Sequence, residues 1–162
     1  MSVSMQFPVS TSGSNRTFTF FGIPTVVRAS ASDTGGRFYM NEALSMEPGF
    51  SSPYHTHHNE DEIFYVLEGE MAFVLDGVWS KAPAGTCVFG PRNIPHGFQV
   101  LGSSPARMLL MTTPAKFEEF VLELAAPADA PPTPPDLGKV VEVAGRYGID
   151  ILGPLPALPS AF

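Results

Sequence analysis

The sequence predicts an all-β domain followed by C-terminal helices. Three observations carry that expectation. Between residues 17 and 113, runs rich in β-branched and aromatic residues are broken by Gly- and Pro-containing turns. After residue 114 the apolar side chains recur at helical spacing. Pro-rich stretches at 126–135 and 153–162 then interrupt and end the helical part.

Composition bounds the function. A chain of 162 residues with 44% hydrophobic side chains is long enough to bury one core. Charged residues make up only 15%, against a usual ~25% for soluble domains. The net charge of −7 offers no basic patch to nucleic acid or to an anionic membrane surface. No apolar run approaches the ~20 residues that span a bilayer. The first sixteen residues lack a charged-then-apolar leader pattern, and the single cysteine, Cys87, cannot form an internal disulfide. From these features the expected default compartment is the cytoplasm. Low charge content, apolar N-terminal strands and the open edges of a β scaffold predict a homodimer, with strands from 17–30 near its interface.

Taken in order, residues 1–16 are polar and Ser-rich and read as a flexible arm. TFTFFGIP (17–24) and TVVRAS (25–30) read as two short strands, and SDTGG (32–36) as a turn. RFYMNEALSM (37–46) alternates: Phe38, Met40, Glu42, Leu44 and Met46 form the apolar face, and Glu42 is expected to reach solvent near the mouth of the scaffold. The stretch 49–69 holds His55, His57 and His58, three of the four histidines. His55 and His57 are two apart and point the same way on a strand. Glu62 is out of phase with them, so a turn or bulge over 58–61 must reset the register. Beyond Glu62 both faces of the strand are apolar, which predicts burial on both sides.

MAFVLDG (71–77) returns from a hairpin at Gly69. VWSKAPA is a short edge piece with Trp79 as its anchor, and TCVFG (86–90) is a strand in which Cys87 reads as a buried core residue. PRNIPHGF (91–98) is a stiff turn presenting His96, because Pro95 fixes its own φ and holds Ile94 extended. RMLLMTT (107–113) is the last barrel strand. AKFEEFVLELAA (115–126) is an amphipathic helix with Phe117, Phe120, Val121 and Leu124 on one side. Asp136 caps a second helix through about Tyr147, with Leu137, Val140, Val141 and Ala144 apolar, and Gly148 ends it. The organisation is therefore an arm (1–16), a barrel (17–113) and a helix–Pro linker–helix segment (114–162) packed on the outside of that barrel.

Three imidazoles and a carboxylate suit a divalent transition metal such as Fe, Mn, Co, Ni, Cu or Zn, one per chain. Four ligands on an octahedral ion leave two positions open, unlike a closed structural site. Chemistry alone does not choose among Glu60, Asp61 and Glu62. Phe64, Val66, Phe98 and Val100 are in phase with the ligands and should line the pocket, joined by Met40.

The spacing then becomes specific. Gly49-x5-His55-x-His57-x4-Glu62-x6-Gly69 resembles the first motif of the cupins at every fixed position. Gly85, Pro91 and His96 resemble the second, with Asn93 where that motif has Gly and Val100 where it has Asn. The resemblance implies a double-stranded β-helix, or jelly-roll barrel, with His55, His57, Glu62 and His96 as metal ligands. SDTGGRFYMNE, HTHHNEDEIFYVLEGE, PRNIPHGF and the tail ending RYGIDILGP are similar to single-domain bacterial cupins of the quercetin 2,3-dioxygenase-like group. That likeness implies a metal-bound flavonol whose hydroxyl proton passes to the catalytic Glu62, and cleavage of the heterocycle by dioxygen with release of carbon monoxide. The expected partners are thus a small enolisable aromatic substrate and O2. The alternatives are a non-catalytic metal- or small-ligand-binding cupin, and a metal-dependent isomerase or lyase. Scarce Arg and Lys near the ligands count against phosphorylated or strongly anionic substrates.

Overall fold

The computed structural model describes residues 16–131, 133 and 135–162; the arm expected over 1–16 lies, but for Arg16, outside them. Two antiparallel sheets face each other as a cupin jelly roll. They are built from β1 (Thr17–Phe20), β2 (Ile23–Ala29), β3 (Tyr39–Met46), β4 (Tyr54–His57), β5 (Asp61–Glu68), β6 (Glu70–Leu75), β7 (Val78–Pro83), β8 (Cys87–Gly90), β9 (His96–Val100), β10 (Ala106–Thr113), β11 (Ala126–Pro127) and β12 (Ile149–Gly153). The seven-stranded sheet runs β11-β1-β2-β3-β10-β5-β8 and the five-stranded sheet β12-β4-β9-β6-β7. The helices are α1 (Ala31–Thr34), α2 (Phe117–Leu124) and α3 (Leu137–Arg146). Among the described residues no helix is long and apolar enough to cross a membrane.

Local chemistry explains most boundaries. The first hairpin turns at Phe21 and Gly22, both with positive φ (51° and 78°), so its break falls before Ile23 and not at residue 24. The expected turn at 32–36 contains one helical turn. The Ser30 hydroxyl accepts from the Asp33 amide, the Asp33 carboxylate accepts from the Ser30 amide, and Gly35 closes the turn in the left-handed region. Gly69 turns β5 into β6 at φ 80°, where a Cβ would lie 2.8 Å from the Pro105 carbonyl oxygen.

β3 corrects the sequence reading. Its inward face carries Tyr39, Asn41 and Ala43, and a register shift against β10 between Ala43 and Met46 brings Met46 inward as well. Met40 and Glu42 lie on the opposite, outer face. Glu42 does not reach solvent: it is buried, with Arg28 Nε 2.7 Å from Oε2 and Arg107 donating to Oε1. Alternation identifies two faces, but it does not say which of them a partner sheet will cover.

Nor is β5 buried on both sides. Phe64 and Val66 point into the core, whereas Tyr65 is exposed, beside Cys87 on the edge strand β8. Cys87 is exposed rather than a core residue. Trp79, on the edge strand β7, packs edge-on against Phe162 with ring centroids 6.2 Å apart.

The core has two parts. One lies between the sheets around Phe64, Val66, Met71, Phe73 and Val100. The other joins Phe18, Val27 and Tyr39 to the helical segment through Phe117, Phe120, Val121, Val143, Ala144 and Ile149. In α3 the inward residues are Val140, Val143 and Ala144; Leu137 and Val141 are exposed. Asp136 caps α3 by accepting from the Lys139 amide. The segment after Gly148 is a strand the periodicity analysis did not single out: β12 pairs with β4, setting Ile149 opposite His57 and Ile151 opposite His55.

Candidate metal centre

The ligand-type residues come from both sheets. β4 presents His55 and His57, β9 presents His96 directly opposite His55, and β5 presents Glu62 from the other sheet. The register reset that Glu62 requires is made by residues 58–60, with the Asn93 amide donating to the His57 carbonyl at 2.7 Å and the His58 amide to the Gly148 carbonyl at 2.9 Å. Glu62 Oε2 then lies 2.5 Å from His96 Nε2, 3.3 Å from His57 Nε2 and 3.7 Å from His55 Nε2. One nitrogen or oxygen from each of the four lies within 4.8 Å of the others.

The outer ring nitrogens fix the tautomers. His55 Nδ1 donates to the Pro53 carbonyl and His96 Nδ1 to the Ile94 carbonyl, each at 2.8 Å. His57 Nδ1 faces Glu60 Oε2 at 3.4 Å. All three rings therefore turn Nε2 toward Glu62 and one common point. Three imidazoles and a carboxylate gathered in this way could hold a metal ion, and the N3O donor set fits a borderline divalent transition metal.

The electrostatics agree. Burial lowers the pKa of His55, because a charged ring there is poorly solvated. Burial also opposes charge on His96, but the hydrogen bond and negative charge of Glu62 outweigh it and hold His96 above its ordinary value. Burial pushes Glu62 upward, yet the surrounding imidazoles prevail and hold it well below the usual carboxylate range.

The structure separates the three consecutive acids. Asp61 pairs outward with Arg92 through a 2.8 Å contact and accepts the Arg92 amide at 2.9 Å. Glu60 sits behind His57, and only Glu62 meets the ring nitrogens that face the centre. Asn93, where the cupin motif has Gly, takes φ 64°, a conformation Asn tolerates better than most residues. Its side-chain oxygen bonds His58 Nδ1 at 2.9 Å, and His58 Nε2 in turn meets Asp150 at 2.7 Å. His58 thus ties the metal-side loop to β12 rather than joining the ligands.

A cavity opens from the centre. Its walls include Phe20, Phe21, Phe64, Phe98, Phe117 and Phe120, with Thr25, Asn41 and Ser52 as polar side chains apart from the ligand groups. Among the described residues no Lys or Arg lines it. Phe64 and Phe98 line the cavity. Val66 and Val100 lie deeper in the core between the sheets, and Met40 is on the outer face of β3. Phe117, expected on the outside of the barrel, sets its ring edge-to-face with His57, centroids 5.1 Å apart. The helical segment therefore walls the cavity. Periodicity marked Phe117 and Phe120 as an apolar helix face, but no local signal ties that face to His57, far earlier in the chain.

The comparisons with known proteins agree on the fold. An uncharacterised protein of Methanocaldococcus jannaschii is 29% identical over 66 residues, which cover 41% of this chain and 53% of that protein. The chain thus spans about half the length of the curated relative it matches. A predicted oxalate decarboxylase from Thermotoga maritima superposes with a TM-score of 0.51 at 23% identity, over 56% of this chain and 79% of that one. The cupin domain of Schizosaccharomyces pombe Cnp3 gives 0.50 at 12% identity, over 60% and 68%. Residues 43–112, which contain all four ligand-type residues, match the family model of the cupin domain.

Proposed function

We propose that the chain is a metal-dependent, dioxygenase-like cupin that acts on a small enolisable aromatic substrate of flavonol type with O2. The observation that carries this reading is the character of the cavity: aromatic walls, no lining Lys or Arg among the described residues, and His55, His57 and Glu62 of the three-histidine, one-carboxylate cluster in its wall. A phosphorylated or dicarboxylate substrate would find no cationic side chain to pair with, and burying such a charge unpaired is costly. A flat, neutral ring system loses little on entering and gains contact with several aromatic faces.

His55, His57, Glu62 and His96 would hold one divalent ion. When bound, that ion lowers the pKa of a coordinated hydroxyl and stabilises the resulting anion. Glu62 accepts the hydroxyl proton, since a carboxylate beside a bound hydroxyl is within hydrogen-bond reach. Phe64, Phe98 and Phe117 orient the ring and exclude water while the electron-rich anion meets dioxygen.

The test is oxygen uptake with flavonols by protein loaded in turn with Fe, Mn, Co, Ni, Cu and Zn. Uptake is expected with at least one ion. Glu62→Gln should retain much of the metal and lose the uptake, because it keeps an oxygen donor and removes the base. Loaded wild type that consumes no oxygen with any enolic aromatic would refute the dioxygenase reading and favour a ligand-binding cupin.

A further inference from the structure

The three imidazoles look alike from the centre but differ behind it. His55 and His96 rest their Nδ1 groups on neutral backbone carbonyls, those of Pro53 and Ile94. His57 rests on a carboxylate, Glu60, whose Oε2 is 3.4 Å away. Glu60 is as deeply buried as Glu62, each 2% exposed. Among the described residues no Lys or Arg forms an ion pair with Glu60; Arg92, the nearby guanidinium, is engaged by Asp61.

We propose that Glu60 is a positioning residue of the metal centre: it strengthens His57 as a ligand and supplies the second buried negative charge that balances a divalent ion. This rests on the metal-binding reading of the site.

The two carboxylates flank one ring. Glu60 is at Nδ1, and Glu62 Oε2 lies 3.3 Å from Nε2 on the other side. Two buried carboxylates without a paired cation are unfavourable. A doubly charged ion held by His57 and Glu62 is adjacent to one acid and one ring away from the other, and the formal charges then sum to zero. A carboxylate accepting from Nδ1–H also pushes electron density through the imidazole, which makes Nε2 a better donor than a carbonyl partner would. It further fixes the ring plane, so His57 need not be ordered when the ion arrives.

A purely structural Glu60, acting only to close the loop between β4 and β5, would affect stability and not metal affinity. Glu60→Gln separates the two, since it keeps the shape and an acceptor oxygen but removes the charge. In chelator competition, Co2+ affinity of Glu60→Gln should fall by roughly 10- to 100-fold at unchanged stoichiometry. Asp61→Asn, at the adjoining start of β5, should bind Co2+ as wild type does. A second measurement needs no variant. In Zn2+-loaded wild type, proton NMR should show one ring N–H, that of His57, well downfield of the other two. Co2+ affinity unchanged in Glu60→Gln, or three equivalent N–H resonances, would overturn the role of Glu60. Wild type that binds neither Co2+ nor Zn2+ would instead overturn the metal reading itself, and this proposal with it.

Discussion

Phe117→Ala tests whether the C-terminal segment is part of the site. Phe117 opens α2, is buried, stacks on Phe120 with centroids 5.3 Å apart and meets His57 edge-to-face at 5.1 Å. Truncating a buried Phe to Ala costs ~3–5 kcal/mol through lost transfer free energy and the void left behind. One side of this ring already faces the cavity, so the lower end applies, ~3 kcal/mol. For a chain of this length each kcal/mol moves the thermal midpoint by ~2–4 °C, which gives a fall of ~6–12 °C. Scanning calorimetry on metal-free protein measures it, with Leu124→Ala, a half-buried neighbour on the same helix, as the milder comparison. The variant should also bind metal more weakly, because the wall that holds His57 in place is gone. A midpoint within about 2 °C of wild type, less than the effect of one kcal/mol, together with unchanged metal affinity, would show that the helices are an appendage.

Other predictions bear on the centre, the outer sheet and assembly. Wild type should bind about one divalent ion per chain, as one such constellation allows, and His96→Ala should abolish or greatly weaken that binding in elemental analysis after metal loading. Glu42→Gln leaves Arg28 and Arg107 without their shared buried carboxylate; because Arg107 is partly exposed and can rehydrate, the cost should be about 2 kcal/mol, below that of breaking a fully buried pair, read by urea unfolding. We also propose that the chain forms a homodimer. The apolar side chains of 17–30 that suggested its interface are taken up within the chain, Phe18 and Val27 in the core and Phe21 and Ile23 in the cavity wall. Sedimentation showing a monomer at micromolar concentration would refute the dimer.

What the sequence by itself determined is what short-range spacing can encode. A period of two gives the strands, a period near 3.6 gives α2 and α3, and Gly and Pro mark the turns between them. Motif spacing likewise picked out His55, His57, Glu62 and His96, which the structure brings to one point. The tertiary structure decided everything that depends on which face another segment covers. It turned Asn41 inward and Met40 outward, gave Glu42 two arginines, and sent Asp61 to Arg92 and Glu60 to the back of His57. It also brought β12 alongside β4 and Phe117 onto His57. The physical reason is that alternation along a strand is a local property of the backbone, equal for both faces. Burial, ion pairing and cavity walls arise from pairings between residues far apart in the chain, and these exist only once the sheets have closed.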